Sequence, residues 1–167
     1  MNAEEQKQRL ARAKEVLRDI HHIPVATVNK DGSPHASPVL FVFDSLLHGF
    51  WASNPESMHS QNILRDPRVF LAIFDSREGH SGLFLSGSAT ELIDPQAVQH
   101  GLALLGRLKK ILYGDGMADA AEYMPTGRQR IYEFIPQHAW VNHSERQDGA
   151  IIRDSRYEIP LQQLLSR

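Results

Sequence analysis

Residues 52–70 read ASNPESMHSQNILRDPRVF. Asn54, Pro55 and Glu56 form a turn signal, and Ser57 is a natural N-cap. One short helix is expected over residues 57–65, and Asp66-Pro67 stops it. Leu47 to Ser53 reads as the strand before this unit, and the nearly all-apolar Arg68 to Asp75 (RVFLAIFD) as the strand after it.

Working outward, the pattern stays β-rich. Ile23 to Val28 is a short β-branched strand, Asp31-Gly32 is a hairpin turn signal, and Pro34 to Phe43 is the returning strand. Pro34 and Pro38 cannot donate to a ladder, so this strand belongs at an edge or beside an opening. Leu83 to Ile93 (LFLSGSATELI) is a further strand, in which Gly87 signals a bulge or a close backbone approach. Arg130 to Ile135 is a sixth strand and Ala139 to Asn142 a seventh. Helical periodicity marks residues 3–20 and the segment that Asp94-Pro95 opens, with Val98, Leu102, Leu105 and Leu108 on one face. A short Ala-rich helix is expected around residues 118–123, and a terminal helical turn over Pro160 to Leu165.

The order β-β-β-α-β-β-α-β excludes a doubly wound sheet, and no G-x-G-x-x-G is present. The expectation is a mainly β chain with helices (α+β), folded as a small antiparallel barrel of Greek-key type. It is read as a single domain over residues 1–167. Within it lie an N-terminal helix to residue 21, a barrel over 22–142 with a helical insertion at about 95–125, and a tail over 143–167.

Composition narrows the function. A net charge of −2 gives no global field for nucleic acid or an anionic membrane, so neither is expected as a partner. The absence of cysteine excludes disulfides, thiolate metal sites and Cys nucleophiles. The charged stretch MNAEEQKQRLARAKEVLRDI lacks the apolar centre of a signal peptide, and a cytoplasmic location is the default expectation. The nine histidines show no H-E-x-x-H spacing, so no metal site is expected; His21-His22 and His138 with His143 are the closest pairs. No G-x-S-x-G elbow supports hydrolysis.

The quoted stretch has the build of an anion site. A helix N-terminus leaves backbone N–H groups unpaired, and its dipole favours negative charge. With Ser57 as cap, the amides of Met58, His59 and Ser60 face outward near Ser53 and Asn54. The hydroxyls of Ser53, Ser57 and Ser60 can donate to phosphate oxygens, and a dianion beside His59 would favour its protonated form. The alternative is that Ser57 only caps its helix and His59 faces water.

Four segments in order, VATVNKDGSPHASPVLFVFD, FWASNPESMHSQNILRDPRVFLAIFD, LFLSGSATEL and RIYEFIPQHAWVN, resemble the pyridoxamine 5′-phosphate oxidase-like family of FMN-binding split β-barrels over roughly residues 20–142. The resemblance implies a homodimer with FMN at the subunit interface and an oxidoreductase acting on a small substrate. NAD(P)H or another reduced carrier would supply the electrons. It places Ser53, Ser57 and His59, with Asn54 and Met58 in the same loop, at the FMN phosphate, and Pro38 and Val39 along the isoalloxazine. Asn62 matches the family's helix Asn, read as a structural hydrogen-bonder. Trp140 and Asn142 lie where the family brings residues of the partner chain to the flavin.

The departures are specific. Family members usually carry Lys or Arg at the positions of Met58 and His59. Here His59 with backbone donors suffices, or Arg65, Arg128 or Arg130 reaches in, or FMN binds weakly. The tail also lacks the Arg-x-His arrangement of the true oxidase, which argues against vitamin B6 oxidation. Other outcomes kept open are a flavin- or haem-binding protein without turnover, with His138 or His143 as haem candidates; a deazaflavin in place of FMN; and a barrel that has lost its cofactor. His35 is a candidate proton donor, read as a surface residue.

Overall fold

The computed structural model describes residues 3–77, 82–117 and 119–165. Eight strands form one antiparallel sheet: β1 (His22–Val28), β2 (Pro34–Leu40), β3 (Val42–Phe43), β4 (Gly49–Ser53), β5 (Arg68–Phe74), β6 (Gly82–Glu91), β7 (Arg130–Gln147) and β8 (Ala150–Ile159). The strand order is β2-β1-β5-β6-β7-β4-β3, with β8 added to β7. β4 lies beside the last strand of the β5-β6-β7 meander, which is the Greek-key relation. The four helices are α1 (Ala3–Asp19), α2 (Met58–Arg65), α3 (Pro95–Tyr113) and α4 (Leu161–Leu165). The sheet curls until β2 approaches β4, and this is the expected split-barrel architecture.

Alternation along the strands builds the core. Ile23 and Val25 of β1, Leu71 and Ile73 of β5, and Leu83 and Leu85 of β6 are fully buried on one face. Phe41, Trp51 and Tyr132 stack in sequence, with centroids 5.3 Å apart in each pair. Ala13 and Val16 of α1 join the same cluster. α3 lays its stripe of Val98, Leu102 and Leu105 on Phe50 and Ile131, on the other face of β4 and β7. The insertion at 95–125 therefore packs on the sheet and builds a second core.

Two glycine signals have direct structural counterparts. Gly32 has φ +86°, which closes the β1–β2 hairpin. At Gly87 the β6–β7 register shifts, and a Cβ there would lie 2.1 Å from the Ile135 carbonyl oxygen. The extra residue sits opposite, beside Pro136, which has no N–H to leave unpaired.

The C-terminal third departs from the expectation. The two strands expected at 130–135 and 139–142 are one continuous strand, because the bulge absorbs Pro136 without ending the ladder. The segment expected as a tail from residue 143 continues β7, turns at Asp148-Gly149 and returns as β8. Gly149 has φ +83° and Asp148 φ 52°. Alternation is weak there because most of β8 is exposed on both faces.

Gly87→Ala should lower the free energy of unfolding by about 3 kcal/mol, since the new methyl meets backbone that cannot rotate away. The control Gly116→Ala, with nothing within 4 Å of the added atom, should stay within about 0.5 kcal/mol. Denaturant midpoints at unchanged slope read both.

Candidate functional site

The first turn of α2 faces the end of β4 and the inward side of β2. Ser57 stands at the N-cap with φ −63° and ψ 150°, but its side chain does not accept from a helix amide. Its Oγ donates to Ser60 Oγ at 2.8 Å and lies 3.1 Å from Ser53 Oγ. Among the described residues the amides of Met58, His59 and Ser60 carry no hydrogen bond, whereas the Gln61 amide donates to the Ser57 carbonyl. Unpaired amides and hydroxyls thus converge on one spot, with the positive end of the helix dipole behind them.

His59 is only 6% exposed. Its ring nitrogens lie 3.3 and 3.4 Å from Ser57 Oγ. Burial, and then the nearby His35, hold its pKa below the ordinary histidine value. These surroundings favour neutral His59, the reverse of what a bound dianion would favour.

His35 is half-buried and faces inward, which corrects its reading as a surface residue. Its Nε2 lies 2.9 Å from Ser37 Oγ. The period-two alternation of β2 explains this: His35, Ser37 and Val39 share the inward face, and Pro34, Ala36 and Pro38 point out. Pro38 is thus exposed on the far side from the serines, and the Val39 side chain is in the core, at 8% exposure. What Val39 can offer a ligand is its backbone. Ser37 was missed because a lone serine in a strand carries no signal until its face is known.

Other candidates have defined places. Asn54 shapes the turn: its side-chain oxygen accepts from the Glu56 amide at 2.7 Å, and its carbonyl accepts from the Ser57 amide at 3.1 Å. Met58 is exposed at the rim. Asn62, 1% exposed, donates to Thr27 Oγ1 at 3.0 Å and Asn29 Oδ1 at 2.9 Å, and accepts from Arg65. It fastens α2 to the β1–β2 hairpin, in line with its reading as a structural hydrogen-bonder.

None of the three arginines offered as a phosphate partner serves the cradle. Arg65 donates to the Val28 carbonyl and to Asn62. Arg128 pairs with Glu122. Arg130 binds Glu91 and the carbonyls of Met124, Pro125, Gly127 and Gln129.

Trp140 and Asn142 lie elsewhere in the chain. Ser53 pairs with Arg130 at the start of β7. Trp140 is ten residues farther along that strand, about 30 Å at the usual rise. It packs on the outer sheet face with Phe70 and His138, at centroid distances of 6.2 and 5.6 Å. Arg156 lies over Phe84 on the same face. Asn142 lines a small pocket under α1, and its carbonyl accepts from Arg9. One chain does not bring these two residues to the serines. His138 pairs with Glu158 at 2.8 Å, while the side chain of His143 lies outside the described residues. Among the described residues no cluster of His, Asp and Glu has the makings of a metal site, and no helix is long and apolar enough to cross a membrane.

A curled Greek-key sheet of this topology defines a class, the split-barrel fold, and sequence comparison agrees with it. The family profile described as pyridoxamine 5′-phosphate oxidase matches residues 10–140. The chain belongs to that family. No curated protein matches it. Among solved structures it is similar to a Clostridium acetobutylicum protein related to general stress protein 26, of the pyridoxinephosphate oxidase family. That likeness has TM-score 0.65 and 13% identity, over 95% of this chain and 98% of that one. It is also similar to an F420 reductase, with TM-score 0.56 and 19% identity over 75% and 94% of the two chains. A heme binding protein from Mycobacterium smegmatis has TM-score 0.62 and 18% identity, over 90% of this chain and 57% of that one. Likeness at these identities extends to the fold alone.

The depressed pKa of His59 makes a prediction for stability. Below the ordinary value of about 6.5 the unfolded chain takes up this proton before the folded one does. Stability should therefore fall as pH drops below that value and approaches the folded pKa. His59→Gln should flatten this part of the profile, read from denaturant midpoints between pH ~5 and ~8.

Proposed function

We propose that the chain is an FMN-binding oxidoreductase that works as a homodimer, with its cofactor sites at the subunit interface. The carrying observation is the convergence of three unpaired helix amides with the hydroxyls of Ser53 and Ser57 beside buried His59. This donor set fits a phosphate ester without a fixed cation. Ser53, Ser57 and the Met58–Ser60 amides would hold the phosphate, His59 would supply a titratable charge, and Asn62 would hold α2 in place. The flavin, when bound, supplies two-electron transfer to or from a small substrate. The protein's part is to position it and shield it from water.

Two observations support the dimer. Trp140 and the serine cradle are parted along β7, so a site using both needs a second copy. The outer sheet face also carries Phe70, Phe84 and Trp140 side by side, the kind of aromatic surface enriched in interfaces.

The visible spectrum of the purified protein, taken after adding FMN and removing the excess, should keep a flavin band. Replacing Ser57 and His59 together by Ala should weaken FMN roughly tenfold or more. A bound dianion would raise the His59 pKa that burial lowers, so binding would take up a proton. Affinity should therefore fall as pH rises through that window. A flat profile removes His59 from the role. Protein that releases all added FMN overturns the flavin reading in favour of a barrel without its cofactor, and a haem band redirects it to the histidines. A monomeric scattering mass at micromolar concentration would exclude the shared site.

A further inference from the structure

From Ser60 toward the C-terminal end of α2 lies a groove of about 480 Å³. Its floor is Ile63 and Ala89, both buried, and the ring of Tyr132. Leu64 and Ile93 stand as its two walls, 80% and 71% exposed. Ser60, Thr90 and Glu91 add polar groups to its lining. Isolated exposed apolar side chains are ordinary, but here two flank one concavity whose floor is apolar and whose lining includes polar groups.

We propose that this groove is a second binding site, for a small uncharged molecule with one apolar ring and one hydrogen-bond donor. The size lies within the roughly 300–1,000 Å³ range of small-molecule sites. The apolar body would cover Leu64 and Ile93 and remove them from water. The donor would meet the Glu91 carboxylate, which keeps acceptor capacity beyond its bond to Arg130 Nε at 3.0 Å. That carboxylate also sets the selectivity. Arg130 is paired with that carboxylate and turned toward four carbonyls, so an incoming anion meets a carboxylate beside a guanidinium already committed to other acceptors. The groove is distinct from the cradle but shares Ser60 with it, since Ser60 Oγ accepts from Ser57. Nothing in the flavin reading requires this site, and the site does not require the flavin.

The test is a titration of the methyl-labelled protein with benzyl alcohol and, separately, with benzoate, followed by NMR. Benzyl alcohol should shift the methyls of Ile63, Leu64, Ala89 and Ile93 along one saturable curve. Benzoate should bind at least about tenfold more weakly. Ile93→Asp, a change at an exposed position, should abolish the benzyl alcohol shifts, and Glu91→Gln should remove most of the discrimination against benzoate. The proposal is overturned by shifts that grow linearly to the solubility limit, by shifts confined to other methyls, or by shifts that persist in Ile93→Asp. It is equally overturned if Leu64 and Ile93 prove protected from solvent in the free protein and Ile93→Asp lowers the oligomeric mass, because a second copy would then occupy the groove.

Discussion

A strand edge can be paired only once, and β7 divides one of its edges between two partners. β6 takes one side over residues 132–141. On the other side β4 takes residues 130–134 and β8 takes residues 139–147. β4 and β8 must therefore separate where β7 passes from one to the other, at the bulge around Pro136. The barrel is split for that reason. The same division puts the serine cradle near one end of β7 and Trp140 toward the other, with the flat aromatic face of β5, β6 and β7 around it.

The electrostatics of the cradle follow from what the arginines do elsewhere. Arg130 holds together the loop over residues 124–129, and Arg65 helps pin α2 through Asn62 and the Val28 carbonyl. Each guanidinium is committed to acceptors within the chain, and moving one toward a ligand would break those bonds. On the proposed reading, binding at the cradle would rest on neutral donors and the dipole, with charge supplied by His59, whose pKa burial lowers. That would make anion affinity a function of pH in a way that a lysine would not.

Much of this was legible in the chain before folding. The Asp31-Gly32 turn, the stop at Asp66-Pro67, the bulge at Gly87 and the cap at Ser57 are local, because each depends on backbone angles that a few residues dictate. Asn62 could be read as structural from its match to the family's helix Asn, and its burial adds the physical reason, since a buried amide must find partners. The site was less legible. Ser37 and His35 gain meaning only from the face of β2 that they share, and Val39 lost its exposed role by the same alternation. The last strand pair was hidden because its exposed residues carry no period-two signal.

By itself the sequence determined the antiparallel class, the order of elements as far as the start of β7 and the helix start with the build of an anion site, since these rest on turn chemistry and on period. Only the tertiary structure decided that the three arginines would be committed to carbonyls and side-chain oxygens, and that His59 would be buried. It alone also parted Trp140 from the serines along one strand and opened a groove between Leu64 and Ile93. These are matters of distance between residues far apart in the chain, set by which strand edges pair and which faces close on one another.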